Sequence, residues 1–253
     1  MTQTDIICCY GNNWTQPPYP LLYGSRNKEL QQVRWRLKEL SMIDLDWTED
    51  NWQKYKRQLL TVRKNRDKPV KYVVLPDLIQ SQRIISTLNF GWALRKLDVF
   101  EVALLPVKTD INLDQLPSWI RPALPTLTNY MQKDQSDVDL CSFKDYNGNI
   151  HILGGGNIRS ILEFVTKVAP KAQIRSIDFN SYMKASNYGN YLVDNSTRWE
   201  YNSEIGKHEA ISKSFSTLVD THASINKSVD KTAETLLRQV QNLTSLEDFF
   251  REA

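Results

Sequence analysis

The chain has 253 residues, of which 41% are hydrophobic and 24% are charged, and its formal net charge is +3. This composition is typical of a folded protein with one sizeable core and excludes a disordered or fibrous chain. Since no apolar run approaches the roughly 20 residues of a membrane helix and the first residues lack a signal-peptide pattern, we expect a cytoplasmic protein without a membrane partner.

The N-terminal part of the chain shows one strand pattern and two helix patterns. Residues 5–10 (DIICCY) are short and apolar, which predicts a buried strand. Residues 27–41 predict a helix because apolar side chains recur there at helical intervals. A second helix is predicted from about residue 49 to residue 65, before Pro69 stops it.

Two strand-helix-strand units follow, one over residues 71–107 and one over residues 149–181. Their strands are apolar on both faces, which is the pattern of a buried parallel sheet. Residues 108–149 lie between the units and are rich in proline and polar residues. We expect one further strand there, in VDLCSF or near ALPTL.

Alternating strands and helices are typical of a (β/α) barrel or of a doubly wound sheet. Five strands can be placed rather than eight, and GNNW follows the first of them instead of a dinucleotide-binding glycine loop. We favour an α/β fold of the TIM-type (β/α) barrel, incomplete or irregular, because two strands end in an aspartate. Residues 1–200 are expected to form the barrel domain, and residues 201–253 to form C-terminal helices that pack on it.

Asp77 and Asp178 are the candidate catalytic residues. They end the apolar runs VVLPD and IRSID, where a carboxylate either caps the next helix or lies at the mouth of a barrel. Two carboxylates at one end of a barrel can divide the roles of nucleophile and acid or base. The glycines of HILGGGNIR, Gly154 to Gly156, allow either a close backbone approach to a ligand or a tight turn.

The segment from Lys54 to Lys71 carries eight Lys or Arg residues against one Asp. It is typical of a solvated helix with a basic C-terminal end, or of a surface that contacts phosphates. The candidate nucleic-acid-binding residues are Lys54, Lys56, Arg57, Arg63, Lys64 and Arg66. We expect no metal and no cofactor, because the histidines and the three cysteines lack paired ligand spacing and the cysteines are expected to be reduced.

The run 150-IHILGGGNIRSILEFVTKVAPKAQIRSIDFNS-181 resembles the late part of the tRNA-guanine transglycosylase barrel. In that family a strand with a Gly-x-Gly turn precedes a helix and then a strand that ends in the nucleophilic aspartate. The stretch 72-YVVLPDLIQ-80 looks like the strand that delivers an acidic residue to the base pocket. The chain lacks the family's Cys-rich zinc site and its Gln-Gly turn, and it looks closer to divergent relatives that are credited with putting deazaguanine bases into DNA.

The resemblance implies that Asp178 attacks C1′ of a nucleoside as the base leaves, and that Asp77 hydrogen-bonds the base edge. It also implies that the backbone of the glycine turn meets the base or the ribose, and that the partner is DNA or RNA. The candidate substrate-binding residues are Gly154, Gly155, Gly156, His151, Asn180 and Tyr182.

Two other functions stay open at this point. The same scaffold could be a non-catalytic module that binds nucleic acid or a protein partner through residues 54–71 and the C-terminal helices. It could also be a different barrel enzyme, such as a hydrolase that takes a phosphorylated small molecule at the glycine turn.

Overall fold

Eight parallel strands close into a barrel in a computed structural model of the chain, in which each strand pairs with its neighbours in chain order and the last pairs with the first. The structure describes residues 4–9, 17–45, 51–78, 83–125, 143–153, 169–179, 186, 189–193, 199–220 and 222–223. The strands are β1 (Asp5–Cys9), β2 (Leu22–Arg26), β3 (Leu40–Asp44), β4 (Val70–Val74), β5 (Phe100–Pro106), β6 (Ile120–Pro125), β7 (Asn149–Leu153) and β8 (Gln173–Phe179).

Helices α1 (Trp52–Lys64) and α2 (Ile84–Lys96) connect β3 to β4 and β4 to β5. The side chain of Asn51 accepts a hydrogen bond from the backbone N–H of Lys54 and so caps α1 at its first turn. Ring contacts between the two helices, such as Trp52 against Phe90 at 5.3 Å, show that α1 and α2 lie side by side. The fold is therefore α/β, with its described helices outside a parallel barrel.

Alternation along the strands divides the buried side chains into an inner and an outer set. The outer set packs between the strands and the helices and includes Ile43, Leu59 and Leu105. The inner set is smaller and follows the strand register around the barrel, as where Met42 pairs with Tyr72. A close-packed interior leaves little room beside β2, where Gly24 lies between two inward-facing side chains.

The C-terminal part of the described chain adds a helix and a small two-stranded antiparallel sheet. Helix α3 (residues 207–220) buries Ile211, Phe215 and Leu218 in the same cluster that covers the outside of the barrel. Helix α3 lies within the residues for which C-terminal helices were predicted. Strands β9 (Asn190–Leu192) and β10 (Trp199–Tyr201) form a separate antiparallel pair. The helical pattern predicted beyond residue 223 lies outside the described residues.

The helix predicted over residues 27–41 is wrong. The structure has two short 3-10 turns, at Asn27–Glu29 and Arg34–Arg36, and then strand β3. The apolar residues that suggested a helix are all buried, because 3-10 turns also repeat about every three residues and present one side to the core. The periodicity of the apolar residues therefore identified the buried side chains correctly but predicted the wrong secondary structure for this segment.

Five strands were placed from the sequence and one further strand was expected in VDLCSF or near ALPTL, whereas the barrel has eight. The strand predicted near ALPTL is confirmed as β6, and the two that the sequence patterns missed are β2 and β3. Strand β2 (LYGSR) has polar residues and a glycine where the others have aliphatic residues. Strand β2 is stabilised by its pairing with β1 and β3 rather than by the β-propensity of its own residues. It can therefore be recognised only in the three-dimensional structure of the barrel.

Substituting Gly24 tests how tightly the barrel interior is packed. A Cβ on Gly24 would lie 2.7 Å from Cys9 Sγ and 2.9 Å from Ile7 Cγ2, so Gly24→Ala should lower the free energy of unfolding by about 1–3 kcal/mol. Gly206→Ala is the matched control, because nothing lies within 4 Å of its added Cβ, and it should change stability by less than about 1 kcal/mol. Chemical denaturation measures both. Equal stability of the two variants would mean that the barrel interior accommodates the added methyl group without a loss of stability.

Candidate active site inside the barrel

Asp178 is the penultimate residue of β8, and its side chain lies inside the barrel. It pairs in register with the inward-facing Ile7 of β1, and the residue is only 6% exposed. Asp178 is thus a strand residue of the barrel wall near the C-terminal end, where parallel barrels build their sites. Its position agrees with the mouth-of-the-barrel alternative considered for this aspartate.

His151 lies on the neighbouring strand β7 and contacts the Asp178 carboxylate. The distance from His151 Nε2 to Asp178 Oδ1 is 3.2 Å, and the imidazole has no exposed surface. On the other side of the ring, Nδ1 is 2.8 Å from the hydroxyl of Ser176, which is also fully buried. The imidazole therefore bridges two polar side chains of β8 that are two residues apart on the same face.

Arg121 of β6 extends this polar set across the interior. Its Nη1 donates to Ser176 Oγ at 2.9 Å and contacts Tyr72 Oη at 3.4 Å, so one nitrogen reaches both β8 and β4. Tyr72 in turn donates to a carboxylate oxygen of Asp5 on β1. The Lys71 ammonium lies 2.7 Å from the same oxygen of Asp5. A continuous series of polar contacts thus runs from Asp178 to the N-terminal side of the barrel.

Burial sets the protonation of several of these groups. It lowers the pKa of His151, although the hydrogen bond to Asp178 opposes the shift, so the imidazole is neutral at pH 7. Burial, followed by the nearby Asp178 and Asp44 carboxylates, raises the pKa of the Cys9 thiol. Cys9 is the last residue of β1 and faces the interior, where it is a protonated thiol rather than a nucleophilic thiolate.

Asp77, the second candidate carboxylate, lies beyond the end of β4 and forms an ion pair with Lys108, beyond the end of β5. It does not cap α2, because Arg83 occupies the cap position of that helix. Strand β4 is four places from β8 around the barrel, so the two predicted aspartates belong to opposite sides of its wall. Their predicted roles stay predictions.

The basic segment divides into two parts in the structure. Arg63 donates to the backbone and the carboxylate of Asp98, both at 2.7 Å, and Arg66 donates to the backbone of Leu37 and Lys68. These two arginines tie the end of α1 and the loop after it to the segments that precede β3 and β5. Lys56 is half-buried, whereas Lys54, Arg57 and Lys64 are exposed along the helix.

The remaining candidates for substrate binding are Gly154, Gly155, Gly156, Asn180 and Tyr182, and all of them lie outside the described residues. The sequence patterns did not single out Arg121, Ser176 or Tyr72. A signal was nevertheless present, because Arg121 and Ser176 are polar residues that interrupt the apolar strands IRPALP and QIRSIDF. A charged or polar residue at an inward position of a buried strand needs partners inside the barrel.

Metal ligands and membrane-spanning helices are two further features that a functional site could depend on. The described residues include no group of three His, Cys, Asp or Glu side chains placed to hold a metal ion. None of the helices in the described ranges combines the length and the apolar character that crossing a bilayer demands.

Comparison with protein families gives one match. The profile of a family of unknown function (DUF6610) matches residues 20–228, which include β2 to β8 and the candidate site. No significant match is found among the curated proteins or among the solved structures.

The buried imidazole predicts a specific loss of stability in acid. The pKa of His151 is lower in the folded protein than the ordinary 6.5, so below pH 6.5 the unfolded chain takes up a proton that the folded one resists. The free energy of unfolding should therefore fall as the pH drops from 7 to 5, by at most about 1.4 kcal/mol per pH unit from this group.

Denaturation at a series of pH values measures the effect in the wild type and in two variants. His151→Gln should flatten the acid limb, and the exposed His208→Gln should not. Some pH dependence will persist in His151→Gln because burial lowers the pKa of His222 as well. An unchanged slope in His151→Gln would contradict the neutral buried imidazole.

Proposed function

The chain belongs to the DUF6610 family, and we propose that this member is a transglycosylase-like enzyme acting on the N-glycosidic bond of a (deaza)guanine-type nucleoside in nucleic acid. Asp178 is the nucleophile of this proposal. The observation that carries it is the position of Asp178 near the C-terminal end of the last barrel strand, with a neutral imidazole at 3.2 Å. A carboxylate with a fixed hydrogen-bond partner at a barrel mouth suits nucleophilic catalysis.

A TIM-type (β/α) barrel is the fold that this proposal requires. The closed parallel barrel of eight strands supports it, as do α1 and α2, which each connect two successive strands. The resemblance of residues 71–181 to the transglycosylase barrel points in the same direction, since those residues include all of α2, β5, β6, β7 and β8 and all of β4 but its first residue.

The chemistry assigned to Asp178 is a double displacement at the sugar. A carboxylate oxygen forms a bond to C1′ while the C1′–N bond breaks, and the electron pair of that bond goes to the base nitrogen, which takes a proton from water. An incoming base then attacks C1′ through its own nitrogen, loses its proton to water, and releases the carboxylate. This sequence keeps the configuration of the sugar and requires no cofactor.

A Ser-His-Asp hydrolase is the obvious competing assignment, because Ser176, His151 and Asp178 are connected through the imidazole. The geometry does not favour it. Ser176 is fully buried and already accepts a hydrogen bond from Arg121, and it lies two residues deeper in the barrel than Asp178. A nucleophile must reach its substrate, and of the two side chains Asp178 is nearer the mouth.

Covalent trapping tests the proposal. The protein should form an adduct with DNA or RNA that survives denaturing electrophoresis, and Asp178→Asn should abolish it because an amide oxygen is a poor nucleophile. Asp145→Asn, at a side chain that is 91% exposed, should leave the adduct unchanged. An adduct that persists in Asp178→Asn would remove Asp178 from the reaction, and no adduct with either nucleic acid would contradict the proposed chemistry.

A second candidate function is non-catalytic binding of nucleic acid or of a protein partner. Two features of α1 and α2 favour it, because α1 carries exposed basic residues and α2 carries a half-exposed tryptophan beside a lysine. Trp92 is 50% exposed, and Lys96 lies 5.6 Å from the centre of its ring. Cations and an exposed aromatic ring on neighbouring helices suit the phosphates and bases of a nucleic acid. The other exposed basic residues of these two helices are Lys54, Arg57, Lys64 and Arg95.

Charge reversal on α1 tests the binding surface. The triple variant Lys54→Glu, Arg57→Glu, Lys64→Glu should weaken nucleic-acid binding. It should also make the negative slope of log K against log salt less steep, by roughly one for each phosphate that the variant no longer binds. The control reverses three exposed lysines elsewhere and should bind normally: Lys144→Glu, Lys171→Glu and Lys207→Glu. Fluorescence anisotropy over a salt series measures both. Equal weakening in the two triple variants would indicate a general charge effect and no defined surface.

A further inference from the structure

One nitrogen of Arg121 begins two separate hydrogen-bond chains inside the barrel. Nη1 carries two N–H groups, and it contacts the hydroxyl of Ser176 at 2.9 Å and that of Tyr72 at 3.4 Å. The first chain continues through His151 to Asp178, and the second passes from Tyr72 to Asp5. Each chain starts at a cation and ends at a carboxylate.

The chemistry of the donors sets the direction of the first chain. A guanidinium only donates, so Ser176 Oγ accepts from Arg121 and its own proton is available for His151 Nδ1. A nitrogen that accepts a hydrogen bond cannot carry the proton of a neutral imidazole. The proton therefore lies on Nε2, which points to the Asp178 carboxylate.

The opposite tautomer would place two hydrogen-bond acceptors, His151 Nε2 and the Asp178 carboxylate, against each other. With the proton on Nδ1, the lone pair of Nε2 would face a carboxylate oxygen at 3.2 Å inside the barrel. Two acceptors in contact are costly in a buried site unless the carboxyl group takes up a proton. Burial also lowers the pKa of His151, which disfavours a doubly protonated ring.

We infer that Arg121 and Ser176 are positioning residues that hold His151 as the neutral Nε2–H tautomer, so that His151 donates to Asp178 and fixes the orientation of its carboxylate. The use of Asp178 as a nucleophile rests on the proposed function, but the tautomer does not. The second chain gives Arg121 a further partner without touching the imidazole, since it leads to Asp5, which Lys71 also neutralises.

The test is the nitrogen-15 NMR spectrum of the histidine side chains in the full chain near pH 7.5. His151→Asn assigns the signals, because the protein has three histidines. The wild type should show His151 with a protonated Nε2 and an unprotonated, hydrogen-bonded Nδ1. A protonated Nδ1, or a doubly protonated ring, would overturn the inference without any variant.

Two variants each remove one hydroxyl from the same Arg121 nitrogen. Ser176→Ala should abolish the single tautomer and give exchange between the two N–H forms, whereas Ser176→Thr keeps the hydroxyl and should retain it. Tyr72→Phe is the matched control, because it breaks the chain to Asp5 and should leave the His151 spectrum unchanged. A wild-type spectrum in a folded Ser176→Ala variant would show that Ser176 does not select the tautomer.

The rate of adduct formation tests whether the orientation of His151 affects the reaction of Asp178. The rate of covalent trapping should fall roughly 10-fold or more in Ser176→Ala and recover in Ser176→Thr, as for other hydrogen-bond partners that orient a ligand or catalytic side chain. If the wild type shows the expected tautomer but forms no adduct, the proposed function is contradicted and the inference about the hydrogen-bond chain still holds. If the wild type forms an adduct but shows the other tautomer, the inference about the hydrogen-bond chain is contradicted and the proposed function still holds.

Discussion

A half-buried guanidinium on the inner face of a parallel barrel is the constraint on which the interior of this protein depends. A charge that is partly withdrawn from water needs charged or hydrogen-bonding partners to offset the lost hydration. Arg121 finds them 55 residues away at Ser176 and 49 residues away at Tyr72, and neutral hydroxyl and imidazole groups carry the interaction on to Asp178 and Asp5. Because these partners belong to four other strands, closure of the barrel and neutralisation of the cation depend on each other.

The inward-facing residues are distributed unevenly around the barrel. Those of β3 to β5 are mainly apolar and include Met42, Val74 and Leu104, whereas those of β6 to β8 include a cation, an imidazole, a hydroxyl and a carboxylate. The apolar side packs by shape, and so do Ile7 and Cys9 of β1 around Gly24 of β2. The polar side is held by directional contacts, which restrict the orientation of each group. This division concentrates reactive groups beside β8, where the candidate nucleophile lies.

The outer surface uses its charges in two ways. Arg63 and Arg66 hold the C-terminal end of α1 against neighbouring loops through hydrogen bonds to carbonyl groups and to Asp98. Lys54 and Arg57, earlier in α1, face solvent instead. A run of basic residues that looks like one feature in the sequence therefore separates into a structural part and a surface part. Arg63 lies on a different face of α1 from Lys54 and Arg57, and Arg66 lies beyond the end of the helix, which together cause the separation.

Sequence patterns alone determined a good part of the fold. The apolar runs at β1, β4, β5, β7 and β8 predicted five parallel strands, and the sequence patterns also predicted α1, α2 and a helical region after residue 201, where α3 lies. These features depend on residues close together in the chain, so periodicity reveals them. Strands β2 and β3 could not be recognised, because their stability comes from pairing with neighbours and not from their own residues.

The candidate site shows the same limit. Sequence alone selected Asp178 from its place after an apolar run, and it named His151 without assigning it a partner. Only the tertiary structure brought His151, Ser176 and Arg121 into one chain of hydrogen bonds, and only it placed Asp77 with Lys108 on the other side of the wall. Strand order, register and the inward or outward direction of each side chain decide these contacts. Those quantities are properties of the closed barrel and have no signature within any single segment.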